Sequence, residues 1–350
     1  MKAVLLKSPG IVVLDEIPVP VISEDEVLVE VKYCGICGSD VHTIPDCGLY
    51  QPGTYMGHEI AGVLAKVGRH VKGWQEGDRV VVNPLYICGE CYGCHHGRWS
   101  QCEQGTEHFL GCCPGLEHAG GFARYVRLVA PERRLTRLPD EVSFASGTLV
   151  EPLAVSLHAL RMSALKPGDS AMVLGAGMIG LGLITFLKHA GAGLIVVSET
   201  MPGRMKLAMK FGADSVINPR ECPDIKVRVR ELTEGKGIDV VYDCSGVAQA
   251  FRSAPGFLRK GGQLLLVGQI TREVPVLPTD FTLNEIQLQG ICCYYADEFP
   301  MVLQFLKKRL TPVEKLITSE IKLSEIVEKG FNVLFNPGSN QLKIIVAPDV

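Results

Sequence analysis

Cys88, Cys91, Cys94 and Cys102 lie in one short run, the first three spaced by two residues each. That spacing lets a tight loop turn successive sulfurs toward a tetrahedral zinc, and a disulfide framework makes no use of it. A fourth thiolate closes the coordination sphere, so the site holds structure and offers no position to a substrate. Glycines and small or polar residues (Gly89, Gly93, Gly97, Ser100) fill the intervals, as a loop around a metal requires.

A second set of donors lies upstream, in Cys34-Gly35-Ile36-Cys37-Gly38-Ser39-Asp40-Val41-His42 and in Gly57-His58-Glu59. Thiolate, imidazole and carboxylate are the ligands of a zinc that keeps one position for water or substrate. Taken singly, Cys37 reads as a buried thiol and His58 as a core histidine. Their combination beside a nucleotide-binding motif favours the metal.

That motif is Gly175-Ala176-Gly177-Met178-Ile179-Gly180, a G-x-G-x-x-G that follows an apolar strand and opens an apolar helix. The first glycine permits the tight turn, the second lets backbone approach a pyrophosphate, and the third brings helix close to strand. The helix N-terminus adds amide donors and a partial positive charge. Glu199 ends the next strand, where a carboxylate bonds the adenosine ribose and repels a 2′-phosphate, so NAD is expected over NADP. Arg204 nearby suits stacking on adenine or a phosphate contact without reversing that preference. Ser245 with Gly246, and Val267-Gly268-Gln269, follow two later strand ends.

These residues need elements to place them. The first part reads as short strands (27–31, 60–67, 79–82) punctuated by Gly and Pro, a mainly β domain. From about residue 166, strands at 170–174, 194–198, 240–244, 263–267 and 286–291 accompany helices at 178–190 and 204–211, predicting a parallel sheet covered on both faces. The tail from about residue 294 is assigned back to the first domain. The predicted domains are 1–155, 156–293 and the return 294–350.

A chain of 350 residues with 47% hydrophobic content and 38 glycines suits two folded domains and argues against disorder. A formal charge of -3 makes nucleic acid an unexpected partner. The longest apolar stretch, 172–187, is studded with glycines and too short to span a bilayer, so no membrane partner is expected. Thirteen cysteines, an odd number, and a start broken at once by Pro9 and Gly10 point to a reducing, cytoplasmic setting.

The motifs above, with Gly120-Gly121-Phe122-Ala123 and Val150-Glu151-Pro152-Leu153-Ala154, resemble in type and order the zinc-dependent medium-chain alcohol and polyol dehydrogenases across the whole chain. The resemblance implies an α/β architecture: a GroES-like, mainly β catalytic domain completed by the C-terminal tail, and an inserted Rossmann domain with a doubly wound parallel sheet. The active site is then expected in the cleft between them. Two zinc ions per subunit are implied, one structural and one catalytic. Cys37 and His58 match the first two catalytic ligands. Glu59 and Glu151 are the alternatives for the third, as in the sorbitol, threonine and butanediol dehydrogenase branch, and they are open to exchange during turnover. Ser39 matches the hydroxyl that accepts the alcohol proton, His42 the group that passes it toward solvent, and Asp40 the carboxylate that orients His58. Val267, Gly268 and Gln269 match the strand end that meets the nicotinamide carboxamide.

The implied reaction is reversible hydride transfer between a small secondary alcohol or vicinal diol and NAD, giving a ketone. Polyol, sugar-alcohol or L-threonine oxidation on the same machinery is the alternative. A nucleotide- and zinc-binding protein without turnover is the remote one, and the joint presence of Cys37, Ser39, His42, His58, Glu59 and Glu151 counts against it. Tyr50 is placed in the substrate pocket. Cys293 stands where sorbitol dehydrogenases carry an arginine that binds polyols, and the following Asp297-Glu298-Phe299-Pro300 is similar to butanediol dehydrogenases. Arg124 departs from the family, where glutamate is common. Relatives with these motifs are commonly homotetramers, which implies a homotetramer here, with an edge strand at 287–291 available for pairing.

Overall fold

The apolar run beginning at Val27 forms the strand Val27–Gly35, on which Val27, Val29 and Val31 are buried. It pairs antiparallel with Glu59–Val67, with Tyr125–Leu128 along its first half, and at its end with the late strand Lys343–Ala347. The computed structural model describes every residue except Thr106, Pro337 and Val350, so the last residue of the expected C-terminal return lies outside the described residues. Seven strands make this sheet, which extends through Arg79–Val82 to Leu135–Arg137 on one side and to Ile317–Lys322 on the other. A smaller sheet joins Ile11–Glu16, Lys2–Ser8 and Thr54–Tyr55. Leu6, Val29, Ile60, Phe122, Phe331 and Ile344 share one core, so N-terminal and C-terminal segments are buried together.

The chain divides into Met1–Glu151 with Tyr294–Val350, and Pro152–Cys293. The first boundary was expected at 155/156; it falls earlier, within the helix Val150–Arg161. That helix runs unbroken because Pro152 occupies its first turn, where a missing N–H disrupts no helical bond.

The second unit contains six parallel strands: β1 (Ser170–Leu174), β2 (Leu194–Ser198), β3 (Ser215–Ile217), β4 (Ile238–Asp243), β5 (Leu258–Leu266) and β6 (Gln287–Gly290). Their spatial order is β3-β2-β1-β4-β5-β6, the doubly wound arrangement whose crevice opens where the order reverses, between β1 and β4. Two of these strands differ most from expectation. The three-residue β3 was not predicted, being too short to carry a period. β5 starts before residue 263 because it includes Lys260-Gly261-Gly262, with Gly261 at φ +68° and a slip in pairing beside Ile238 and Val240, so only its apolar second half was readable. Among the described residues no helix is long and apolar enough to cross a membrane.

The cysteine lobe projects from the first unit after Arg79–Val82, around the short helix Tyr92–His95 and the turn Trp99–Gln101. The sulfurs of Cys88, Cys91, Cys94 and Cys102 all lie within 4.8 Å of one another. Cys88 Sγ and Cys94 Sγ are 3.8 Å apart. Zinc–sulfur bonds of about 2.3 Å give a tetrahedron edge of about 3.8 Å, so the spacing fits zinc. Arg133 ties the lobe down by donating to the Cys88 carbonyl at 2.9 Å. Cys102→Ser should therefore lower the zinc content of purified protein and reduce its thermal midpoint by roughly 5–10 °C, the equivalent of a few kcal/mol. Metal analysis and calorimetry check this, and full zinc content with an unchanged midpoint would remove the structural role.

Candidate active site

Strand pairing assembles the first unit's donor cluster. Gly35 lies opposite Glu59 on one side and opposite Ile345 on the other. Opposed residues and every second residue along a strand share a face, so Glu59 and Lys343 meet over Gly35. Lys343 Nζ donates to both carboxylate oxygens of Glu59 at 2.6 Å and to the Ile36 carbonyl at 2.8 Å. A Cβ at Gly35 would fall 2.0 Å from Glu59 Oε2, so only glycine admits the ion pair. Gly57, before His58, has φ +102°, and a Cβ there would lie 2.6 Å from the Phe122 amide nitrogen.

Ligand atoms of Cys37, His58 and Glu59 lie within 4.8 Å of one another. Glu151 stands beside this set, close enough for its charge to interact with His58, Glu59 and Lys343. Asp40 is the N3 residue of the helix Gly38–Thr43; one oxygen accepts the Cys37 amide at 2.9 Å. Its other oxygen is buried without a hydrogen-bond partner and stands 3.6 Å from His58 Nδ1.

The electrostatics of the cluster call for a cation. Asp40, Glu59 and Glu151 are 0%, 0% and 7% exposed, and Lys343, 2% exposed, is the buried ammonium among them. Burial raises the Asp40 carboxyl to about 6, with His58 opposing. Burial also raises Glu151 to about 7, against the pull of His58, Lys343 and a hydrogen bond from Tyr294. Uncompensated buried charge is unfavourable by several kcal/mol. A dication held by Cys37, His58 and a carboxylate would relieve this surplus, and the donor types suit zinc.

Ser39 Oγ lies 2.8 Å from the hydroxyl of Tyr50, which is buried while His42, one helical turn after Ser39, is exposed. Sequence reasoning missed three neighbours. Lys343 is one. Phe109 meets the His58 ring edge-on at 5.9 Å between centroids. Cys112 Sγ stands 3.7 Å from His58 Nδ1. A lysine inside the apolar run Lys343-Ile344-Ile345-Val346 was the one readable signal; Phe109 and Cys112 lie in a loop with no period.

In the second unit, Gly175 has φ +90°, and a Cβ at Gly180 would fall 2.0 Å from the Gly175 carbonyl oxygen, so helix Met178–His189 and strand β1 meet at backbone distance. A Cβ at Gly177 would meet nothing within 4 Å, which leaves open space at the helix N-terminus for a phosphate group. The Ile179 carbonyl accepts a bond from Ser156 at 2.9 Å. Glu199 follows β2 and accepts backbone amides from Ala176 at 2.8 Å, Thr200 at 2.7 Å and Met201 at 2.8 Å. The carboxylate thus braces the glycine loop; Oε1 also accepts the Thr200 hydroxyl at 3.4 Å, while Oε2, bonded to the Ala176 amide, keeps capacity for a ribose. Arg204 lies in the first turn of Pro202–Phe211. Ser245 bonds Asp243 at the end of β4, and the Val267 and Gly268 amides donate to the Asp243 carbonyl at 2.9 and 2.7 Å, so β4 and β5 end together. Gln269 beyond them is exposed. Cys293, with φ +51°, closes this unit after β6.

Two family models match the chain: an alcohol dehydrogenase GroES-like domain over residues 23–140 and a zinc-binding dehydrogenase domain over residues 179–308. The chain is 36% identical to (R,R)-butanediol dehydrogenase of Bacillus subtilis strain 168, covering 100% of both. It is 34% identical to sorbitol dehydrogenase of the same strain, covering 100% of this chain and 98% of that one. The crystal structure of 2R,3R-butanediol dehydrogenase from Bacillus subtilis superposes with a TM-score of 0.88 over 99% of both chains, at 35% identity. With its GroES-like sheet, six-stranded dinucleotide fold and paired donor clusters, the chain belongs to the zinc-dependent medium-chain alcohol and polyol dehydrogenase family.

Proposed function

We propose that this dehydrogenase oxidises a small secondary alcohol or vicinal diol reversibly to the ketone, with NAD as hydride acceptor. The observation that carries the reading is the set of half-buried Cys37 with buried His58 and Glu59, and the Ser39–Tyr50 hydroxyl pair in the same unit. The similarity to butanediol dehydrogenase supports a diol, and Cys293, in place of a polyol-binding arginine, counts against long polyols.

When bound, zinc supplies a Lewis acid that lowers the pKa of an alcohol, and NAD supplies the hydride acceptor. Cys37 and His58 would hold the metal with Glu59, and Glu151 is the alternative carboxylate for the third position. Asp40 fixes the ring of His58 by facing its Nδ1. Ser39, oriented by Tyr50, takes the alcohol proton, and the exposed His42 returns it to solvent. Glu199 would disfavour a 2′-phosphate by charge; Gly175, Gly177 and Gly180 would admit the pyrophosphate; Ser245 would lie near the cofactor, and Val267, Gly268 and Gln269 would meet the nicotinamide carboxamide. Tyr50 and Cys293 shape substrate choice. Two zinc ions per chain, a homotetramer paired through the region of β6, and a reducing cytoplasmic setting complete the reading.

Initial rates of NAD and NADP reduction across butanediol stereoisomers, simple secondary alcohols, sorbitol and L-threonine test it. Small alcohols or diols with NAD are expected to lead, and a lead for sorbitol or threonine would move the pocket assignment. Glu199→Ala should raise the NADP-to-NAD ratio of kcat/KM at least about tenfold, since like charges in contact oppose binding by more than about 1.4 kcal/mol. Cys37→Ser should lower kcat on the order of 10³-fold while the fold and NAD binding persist, the loss of a Lewis acid worth several kcal/mol. A fully active variant would end the catalytic-metal assignment.

Lys343→Met isolates the ion pair. Removing one partner of a buried pair costs about 3–5 kcal/mol. Denaturant unfolding should show that loss in chelator-treated protein and a smaller one with zinc, because the metal compensates Glu59 as well. Equal losses in both states would separate Lys343 from the metal site.

A further inference from the structure

Cys292 and Cys293 are consecutive, follow β6, and belong to neither donor cluster. Their sulfurs are 3.6 Å apart and share a hydrogen bond. Neighbouring side chains on an extended strand point to opposite faces. Here Cys293 takes the left-handed conformation, φ +51°, which is uncommon for any residue but glycine and turns its side chain toward that of Cys292. Cys292 is exposed. The sulfur of an exposed cysteine thus stands in contact with a second sulfur able to resolve it.

We propose that Cys292 and Cys293 form a reversible two-electron oxidation site that a hydroperoxide converts to a disulfide between adjacent residues. The Cys292 thiolate attacks the peroxide O–O bond and takes one oxygen as sulfenic acid; the other leaves as water or an alcohol. The Cys293 sulfur then attacks the sulfenic sulfur, forming the S–S bond and releasing that oxygen as water. Two thiols lose two protons and two electrons, and those two electrons reduce the peroxide bond.

The environment favours the first step. The hydrogen bond with Cys293 lowers the Cys292 thiol to about 7, burial opposes this, and the charge of His158 assists. A large fraction is then thiolate at neutral pH, the form that reacts. The ring is also easily reopened. Cα atoms joined by a trans peptide are about 3.8 Å apart, below the usual disulfide span of about 4.4–6.8 Å, and strained exposed disulfides are the readily reduced ones. Other thiols are placed differently: the lobe sulfurs face one another around a metal position, and Cys112 faces His58.

The test uses full-length zinc-loaded protein treated with less than one equivalent of hydrogen peroxide, alkylated, digested and analysed by mass spectrometry, with released zinc followed in parallel. The peptide containing Cys292 and Cys293 should lose two hydrogens and escape alkylation, recover both on dithiothreitol, and do so without zinc release. In Cys292→Ser the same peptide should keep an alkylatable Cys293. Full alkylation of both thiols after peroxide, or oxidation confined to the lobe with zinc release, would overturn the proposal.

Discussion

The ion pair between Lys343 and Glu59 is the contact on which the first unit depends. It joins residues 284 positions apart, both essentially inaccessible to water. Its formation requires the antiparallel pairing of Val27–Gly35 with two strands, one from near the N-terminus and one from the C-terminal tail, and a glycine where they meet. A buried pair of this kind is not a strong source of stability, because desolvation offsets most of the attraction. Its consequence is specificity: shifting either strand by one residue would turn Glu59 or Lys343 to the other face and leave a bare charge in the core.

The second unit meets a different requirement, close approach of backbone to backbone. Gly180 lets a helix start at the end of β1, and Glu199 from the end of β2 ties down the loop between them through the Ala176 amide. A single carboxylate thereby fixes the loop that receives phosphates and presents negative charge where a ribose is expected. Loop geometry and cofactor preference are coupled through one residue, so substitutions at Glu199 act on both.

What was legible in the sequence was local. The lobe cysteines and the glycine fingerprint lie within one loop or turn each, and their spacing carries the geometry. The parallel sheet was readable where apolar runs alternate with helical ones, and obscure where β5 carries Lys260-Gly261-Gly262 through its middle. Lys343, Phe109 and Cys112 reach His58 and Glu59 only through tertiary pairing, which no short window contains. The sequence also left Arg124 without a purpose. It stands 3.6 Å from Glu30 on the paired strand, at a site 42% exposed, where an ion pair contributes at most about 1 kcal/mol. The charge reversal is answered within the same sheet.

The two glutamates near the metal position differ in what each keeps when it is not a ligand. In our reading they exchange, and an exchange is fast only if the departing carboxylate is not left bare. Glu59 retains Lys343 on both oxygens. Glu151 feels the charge of the same Lys343 without a direct bond to it, and burial is the dominant influence on it, pushing its carboxyl up to about 7. Two buried acids that share one buried ammonium leave negative charge in a low-dielectric core, and a dication held beside them would supply the compensation such a core requires.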